Sequence, residues 1–384
     1  MRHTQQLSDM KNKNKSQADQ PVMAPSANPR HSPLKERCRV IVIALFVAIS
    51  LTVAFFYMVR QWAATNGHNT ITPFIFTGMV DGIHSDHFAH LRLPWKPRVG
   101  GMWLTAELLK YFKPDSLESY KDVFGAYSAV WFFGTLMLLI IYLKEPIFPI
   151  LATFGATIYS IQVTTYNSFY DDVHILPWDF PAMFFFTLAY LWWTRQWYWP
   201  MTVAIIMGTI FKETVAVVAI LMFFTAISRR QQIQYFAAAF VGCLAVRLFI
   251  THFVLGQPTT FTAEHRAFGA LWDSVTSFID WEFHPHLNTI LWVNGGLAFA
   301  VFLLPRKTRA DWGINVILVI FYVSLVVAGI IADGHMEARH WTDVLPMLVI
   351  YFQEKLAAPV SVAREAVGNF PPSRLQKLKT TPAG

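Results

Sequence analysis

Three groups of side chains in this sequence have the types and spacing for chemistry, and each lies beside or between apolar runs. The first is Asp81-Gly82-Ile83-His84-Ser85-Asp86-His87-Phe88-Ala89-His90. A carboxylate here can take the proton of an acceptor hydroxyl, as a general base must. Asp81 and Asp86 are therefore the candidate catalytic bases. Asp81 is favoured because a turn-permitting glycine follows it and Arg98 lies 17 positions on. Arg98, in Lys96-Pro97-Arg98-Val99-Gly100-Gly101, carries a planar fork of donors suited to a phosphate. His84, His87 and His90 recur every three residues, which a helix would place along one side. That spacing matches no specific metal motif, so no metal ligands are assigned.

The second group is Lys212-Glu213-Thr214, which interrupts a long apolar stretch. Charges at membrane depth are expensive, and irregular backbone there survives only against protein or a water-filled cavity. Lys212 is read as a binder of an anion entering from the lipid. Glu213 is read as its orienting or acceptor-side partner, able to pair with Arg247, which also falls within an apolar run. The plainer alternative is a structural ion pair.

The third group comprises two polar clusters that lead into apolar runs. Tyr170-Asp171-Asp172-Val173-His174 continues into Pro177-Trp178-Asp179-Phe180-Pro181, where Asp179 reads as a helix N-cap rather than a reacting group. In Asp333-Gly334-His335-Met336-Glu337-Ala338-Arg339-His340-Trp341, the adjacent Arg339 and His340 suit an anion site or a loop-stabilising ion pair equally.

The elements that must hold these groups are membrane helices. Of 384 residues 54% are hydrophobic and 14% charged, against about 25% charged in an ordinary soluble domain. A hydrocarbon core of about 30 Å needs about 20 apolar residues per helix. Candidate segments are Val40–Val59, Phe124–Leu143, Phe148–Gln162, Phe180–Trp193, Pro200–Phe211, Val215–Ile227, Ile233–Leu255, Leu287–Leu304, Gly313–Ala332 and Val344–Phe352. The expected fold is all-α, a polytopic membrane protein of about ten helical segments. Residues 1–39 read as a disordered basic tail, 40–353 as the transmembrane domain with a large outer loop at 60–123, and 354–384 as a second tail. Cys38 precedes the first apolar run and Cys243 lies inside a later one, so no disulfide between them is expected.

Lys212-Glu213-Thr214 decides the topology. As one helix, residues 200–227 would extend about 42 Å, too long for an untilted crossing. As a hairpin, each arm reaches about two-thirds of the way. The hairpin puts both termini in the cytoplasm with 20 of 31 Lys and Arg, including Arg229, Arg230 and the Arg306–Arg309 cluster. One continuous helix would put those arginines outside, against the positive-inside rule. The net charge of +7 thus follows membrane topology, and no nucleic-acid partner is implied. Most histidines and carboxylates gather on the opposite, outer side.

Taken in order, these features resemble the GT-C superfamily of membrane glycosyltransferases, which includes protein mannosyltransferases and aminoarabinose transferases. The resemblance rests on an early aspartate (Asp81 or Asp86) in a large outer loop and on Arg98-Val99 before an amphipathic stretch. It rests further on Phe211-Lys212-Glu213-Thr214 within a short helix pair, and on Arg339-His340 ahead of Leu345-Pro346. It implies a GT-C-like fold that moves a sugar from a polyprenyl-phosphate donor to an acceptor on the non-cytoplasmic face. An aspartate would act as base, with Arg98, Lys212, Glu213, Arg247, Arg339 and His340 as substrate contacts. Its partners are then a lipid-linked sugar donor and membrane lipids. It requires no organic cofactor, leaves a divalent cation optional, and points to a bacterial inner membrane. A secondary transporter and a non-enzymatic membrane assembly factor are the rival readings.

Overall fold

The structure is a computed structural model that describes residues 33–65, 99–112, 117–167, 178–254, 300–301, 303–304, 306–331 and 342–368. Contacts divide the chain into two units, Met1–Ile43 and Ala44–Gly384. The described part of the first unit is the opening of helix α1. All the packing considered below belongs to the second.

The described residues are overwhelmingly helical, with no strand among them. They form α1 (Pro33–Thr65), α2 (Val99–Phe112), α3 (Leu117–Tyr142), α4 (Ile147–Asn167), α5 (Asp179–Thr194) and α6 (Tyr198–Phe211). A 3-10 arm (Glu213–Phe224), α7 (Arg229–Phe249), a π turn (Ile250–Val254), α8 (Arg309–Ile331) and α9 (Leu345–Gly368) follow. Glu36–Arg60, Lys121–Tyr142 and Arg229–Phe249 are long and apolar enough to cross a membrane. The protein is therefore read as a membrane protein. Helix α9 continues to Gly368, well past the end of its apolar run and into the expected tail.

What each helix buries follows from its period. Helix α1 buries Ala44, Ala48, Phe55 and Val59, spaced by four, seven and four residues, a single narrow stripe. Phe55 of that stripe stacks on Phe132 of α3 at 4.4 Å and meets Phe180 of α5 edge-on at 4.9 Å. The rest of α1 displays Phe46, Ile49, Val53 and Tyr57, and α7 likewise displays Phe240, Val241 and Leu244. Apolar side chains exposed over whole helix faces suit lipid rather than water. Several buried threonines are satisfied inside their own helices. Thr105, Thr187, Thr202 and Thr209 each donate to the carbonyl four residues back, at 2.7–2.9 Å.

Helix α6 and the 3-10 arm form the hairpin expected from the Lys212 interruption. Tyr198, the first residue of α6, comes close to Thr225, just past the end of the arm. At the other end Gly208 lies so close to Val215 that an added Cβ would come within 2.6 Å of its Cγ1. Such contacts need two arms folded back on each other. The 3-10 winding was not legible in the sequence. The arm buries Val215, Val218, Ala219, Leu221 and Met222, a set whose spacing suits an α-helix as well as a 3-10 helix. At about 2 Å per residue this 12-residue arm spans about 24 Å, against about 18 Å as an α-helix. The winding lets a short arm reach deeper. Helix α7 packs along both arms, α8 along the 3-10 arm, and α9 against α4 and α5.

Candidate functional site

The site begins with backbone geometry at one residue. Lys212 is extended (φ −155°, ψ 134°) between two helices. Its N–H donates to the Gly208 carbonyl at 3.0 Å, and its own carbonyl accepts from Val215 at 3.4 Å. Each arm is thereby terminated at Lys212, and the side chain turns into the bundle, where it is 0% exposed. Its ammonium donates to Asp179 Oδ1 at 3.1 Å and lies 3.2 Å and 3.0 Å from the two oxygens of Asp343. Thr214, two residues along, donates its hydroxyl to Asp343 Oδ2 at 2.6 Å.

Both carboxylates are positioned by helix starts. Asp179 is the first residue of α5, and Asp343 lies two positions before α9. Each therefore meets the positive end of a helix dipole. With all three side chains ionised, Asp179, Lys212 and Asp343 carry one net negative charge. The two helix N-termini and the Thr214 hydroxyl help to hold that charge away from bulk water. Asp179 is not the N-cap expected from its position. Trp178 occupies that place with no side-chain cap bond, and the Asp179 carboxylate reaches Lys212 instead.

Glu213 points elsewhere. Its carboxylate accepts from Arg247 Nη2 at 2.9 Å, with 38% of the Glu213 side chain and 23% of the Arg247 side chain exposed. Neighbouring residues at the tip thus have opposite surroundings: a sealed ammonium and a half-open ion pair. The pairing of Glu213 with Arg247 is the one anticipated from sequence. Lys212 departs from its expected role, because its ammonium faces two carboxylates and has no exposed surface through which to meet an incoming anion.

Helix α2 borders the same tip. A Cβ on Gly100 would come within 2.6 Å of Ile210 Cγ2 and 3.0 Å of the Ile210 carbonyl oxygen, so glycine is what allows α2 to touch the end of α6. Phe211 joins an aromatic cluster beside the tip. Its ring lies 5.4 Å from Trp131 and 5.6 Å from Phe185.

Lys212, Glu213 and Arg247 are thus brought to one end of the bundle. Asp81, Asp86, Arg98, Arg339 and His340 lie outside the described residues. Sequence reasoning missed Asp343 and Thr214 and misassigned Asp179. The available signal was shared position, since both aspartates precede an apolar run on the side of the membrane expected for Lys212. Among the described residues no group of three or more His, Cys, Asp or Glu could hold a metal ion. No family model, curated protein or solved structure matches the chain.

Proposed function

We propose that the protein is a membrane glycosyltransferase that moves a sugar from a polyprenyl-phosphate donor to an acceptor hydroxyl, at the end of the bundle that carries Lys212. The observation that carries this reading is the convergence of Asp179, Lys212, Glu213, Arg247 and Asp343 from four separate chain segments at the tip of a helix hairpin. Ionised groups gathered within an apolar bundle are costly and tend to mark substrate or ion pathways. The GT-C-like order of motifs supplies the reaction class.

In this reading the acceptor hydroxyl gives its proton to Asp81 or Asp86 as its oxygen attacks the anomeric carbon. The bond between that carbon and the phosphate oxygen breaks, and the departing lipid phosphate gains negative charge. A cation at the membrane boundary stabilises that charge. Arg247 suits the task better than Lys212, since its guanidinium is partly exposed and can present a planar fork to phosphate. Lys212 becomes a positioning residue that fixes Asp179 and Asp343. Arg98, Arg339 and His340 complete the substrate contacts. The outer face assignment follows the inner excess of Lys and Arg, and a bacterial inner membrane is the expected location.

The test is sugar transfer by protein in lipid nanodiscs supplied with polyprenyl-phosphate sugars and a panel of hydroxyl acceptors. Turnover is expected to vanish in Asp81→Asn or Asp86→Asn, with donor binding largely kept. Near-normal turnover in both variants would remove that loop from the mechanism. A secondary transporter is favoured by the same break in the helix pair, because broken helices bearing charge line transport sites. Solute uptake into proteoliposomes, with no sugar transfer from any donor, would establish that reading instead.

A further inference from the structure

At the end of the bundle away from Lys212, contacts run in a closed circuit. The Trp192 indole donates to the Tyr142 hydroxyl at 2.6 Å, and Trp193 donates to the Leu221 carbonyl at 3.0 Å. Leu221 and Phe224 lie against Gly313 at the start of α8. Asp311, in the first turn of α8, accepts from Tyr351 of α9 at 2.9 Å and pairs with Lys355. Gln353 then donates to the Glu145 carbonyl at 3.2 Å, which returns to the turn after α3.

Three exposed arginines on this rim each lie against an aromatic ring. Arg195 is 5.7 Å from the centre of Tyr142, Arg229 is 5.1 Å from Phe223, and Arg306 is 5.0 Å from Trp312. A guanidinium resting on a ring is restrained without losing its charge. Trp197, Trp199 and Trp312 are exposed at the same end, where amphipathic indoles favour the level of lipid headgroups. The segments making this end carry eight Lys and Arg against three carboxylates, and one of those three, Asp311, is engaged by Lys355.

We propose that this rim is a docking surface for anionic phospholipid headgroups, with Arg195, Arg229 and Arg306 facing the phosphates. Insertion topology alone accounts for basic loops on one side of a membrane. It does not account for three arginines set against rings beside exposed indoles, in a continuous circuit of contacts. Charge complementarity selects the occupant: an anionic headgroup offers phosphate oxygens to the guanidinium forks, and its acyl chains meet the apolar faces of the adjoining helices. The proposal needs only a membrane and is independent of the glycosyltransferase reading.

The test is lipid selectivity of the full-length protein in bilayers, read by electron paramagnetic resonance with spin-labelled phosphatidylglycerol and phosphatidylcholine. At low salt the protein should immobilise the anionic lipid about two- to fivefold more strongly, and the preference should shrink as salt screens it. Arg195→Gln, Arg229→Gln and Arg306→Gln should each lower the preference, and the triple variant should lose most of it. Lysine at all three positions keeps the charge and should retain more than half. Equal immobilisation of the two lipids by the unsubstituted protein would overturn the proposal. So would an undiminished preference in all three single variants, which also keep the test sound if the triple variant fails to fold.

Discussion

The Lys212 ammonium lies between two carboxylates in surroundings closed to water. Removing one member of a buried ionic cluster strands the others, at a cost of about 3–5 kcal/mol. Neutralising all of them together can be close to harmless. Lys212→Ala should therefore lower unfolding stability by about that amount. Lys212→Met combined with Asp179→Asn and Asp343→Asn should recover most of it, as measured by chemical denaturation in detergent micelles. A triple variant as unstable as the single one would mean that stranded charge is not what destabilises Lys212→Ala. The cation was legible in sequence because a charge in an apolar run stands out within a few residues. Its partners were not, since Asp179 and Asp343 lie 33 and 131 positions away and each looks locally like an ordinary helix-start aspartate. Glu213 with Arg247 was easier to anticipate, both being charges embedded in apolar runs.

The hairpin is the element on which the site depends, and its break was readable from Lys212-Glu213-Thr214. The apolar runs also located most of the helices, because burial of roughly 20 apolar residues is what a membrane demands. The 3-10 winding was hidden, since the buried set Val215, Val218, Ala219, Leu221 and Met222 has the spacing an α-helix would also show over twelve residues. Close approach of the arms is the testable feature. Gly208 faces Val215 Cγ1 and Phe185 Cβ with no room for a methyl group. Gly208→Ala should cost about 1–3 kcal/mol through overpacking. Adding Val215→Ala should return part of that loss, and the same denaturation experiment can show it. If the two changes simply add, the arms are not in the contact described.

For the molecule as a whole, the distribution of basic residues makes a claim that labelling can check. The hairpin reading puts both termini and position 307 in the cytoplasm and position 265 outside. In a background with Cys38→Ser, an impermeant thiol reagent on intact cells should modify His265→Cys and spare Lys307→Cys. Labelling at 307 from outside would overturn the topology and the assignment of the Lys212 end to the outer face. Cys243 should stay silent, being buried with its sulfur 3.1 Å from Thr209. The all-helical character was legible from composition, whereas the closure of the Arg195 end was not. That end is closed by hydrogen bonds between residues such as Gln353 and Glu145, 208 positions apart.

The distances along the chain between Asp179, Lys212 and Asp343 also set an order of assembly. A ribosome adds about 5–20 residues per second. Lys212 therefore follows Asp179 within about 2–7 s, and Asp343 arrives about 7–26 s after that. During the interval Lys212 on the inserting hairpin has Asp179 of α5 beside it, a neutral couple suited to an apolar setting. The surplus negative charge comes only with α9, whose own N-terminus accompanies Asp343. Biosynthesis thus delivers the least costly pair first, and the residue that seals Lys212 brings with it the dipole that helps to hold it.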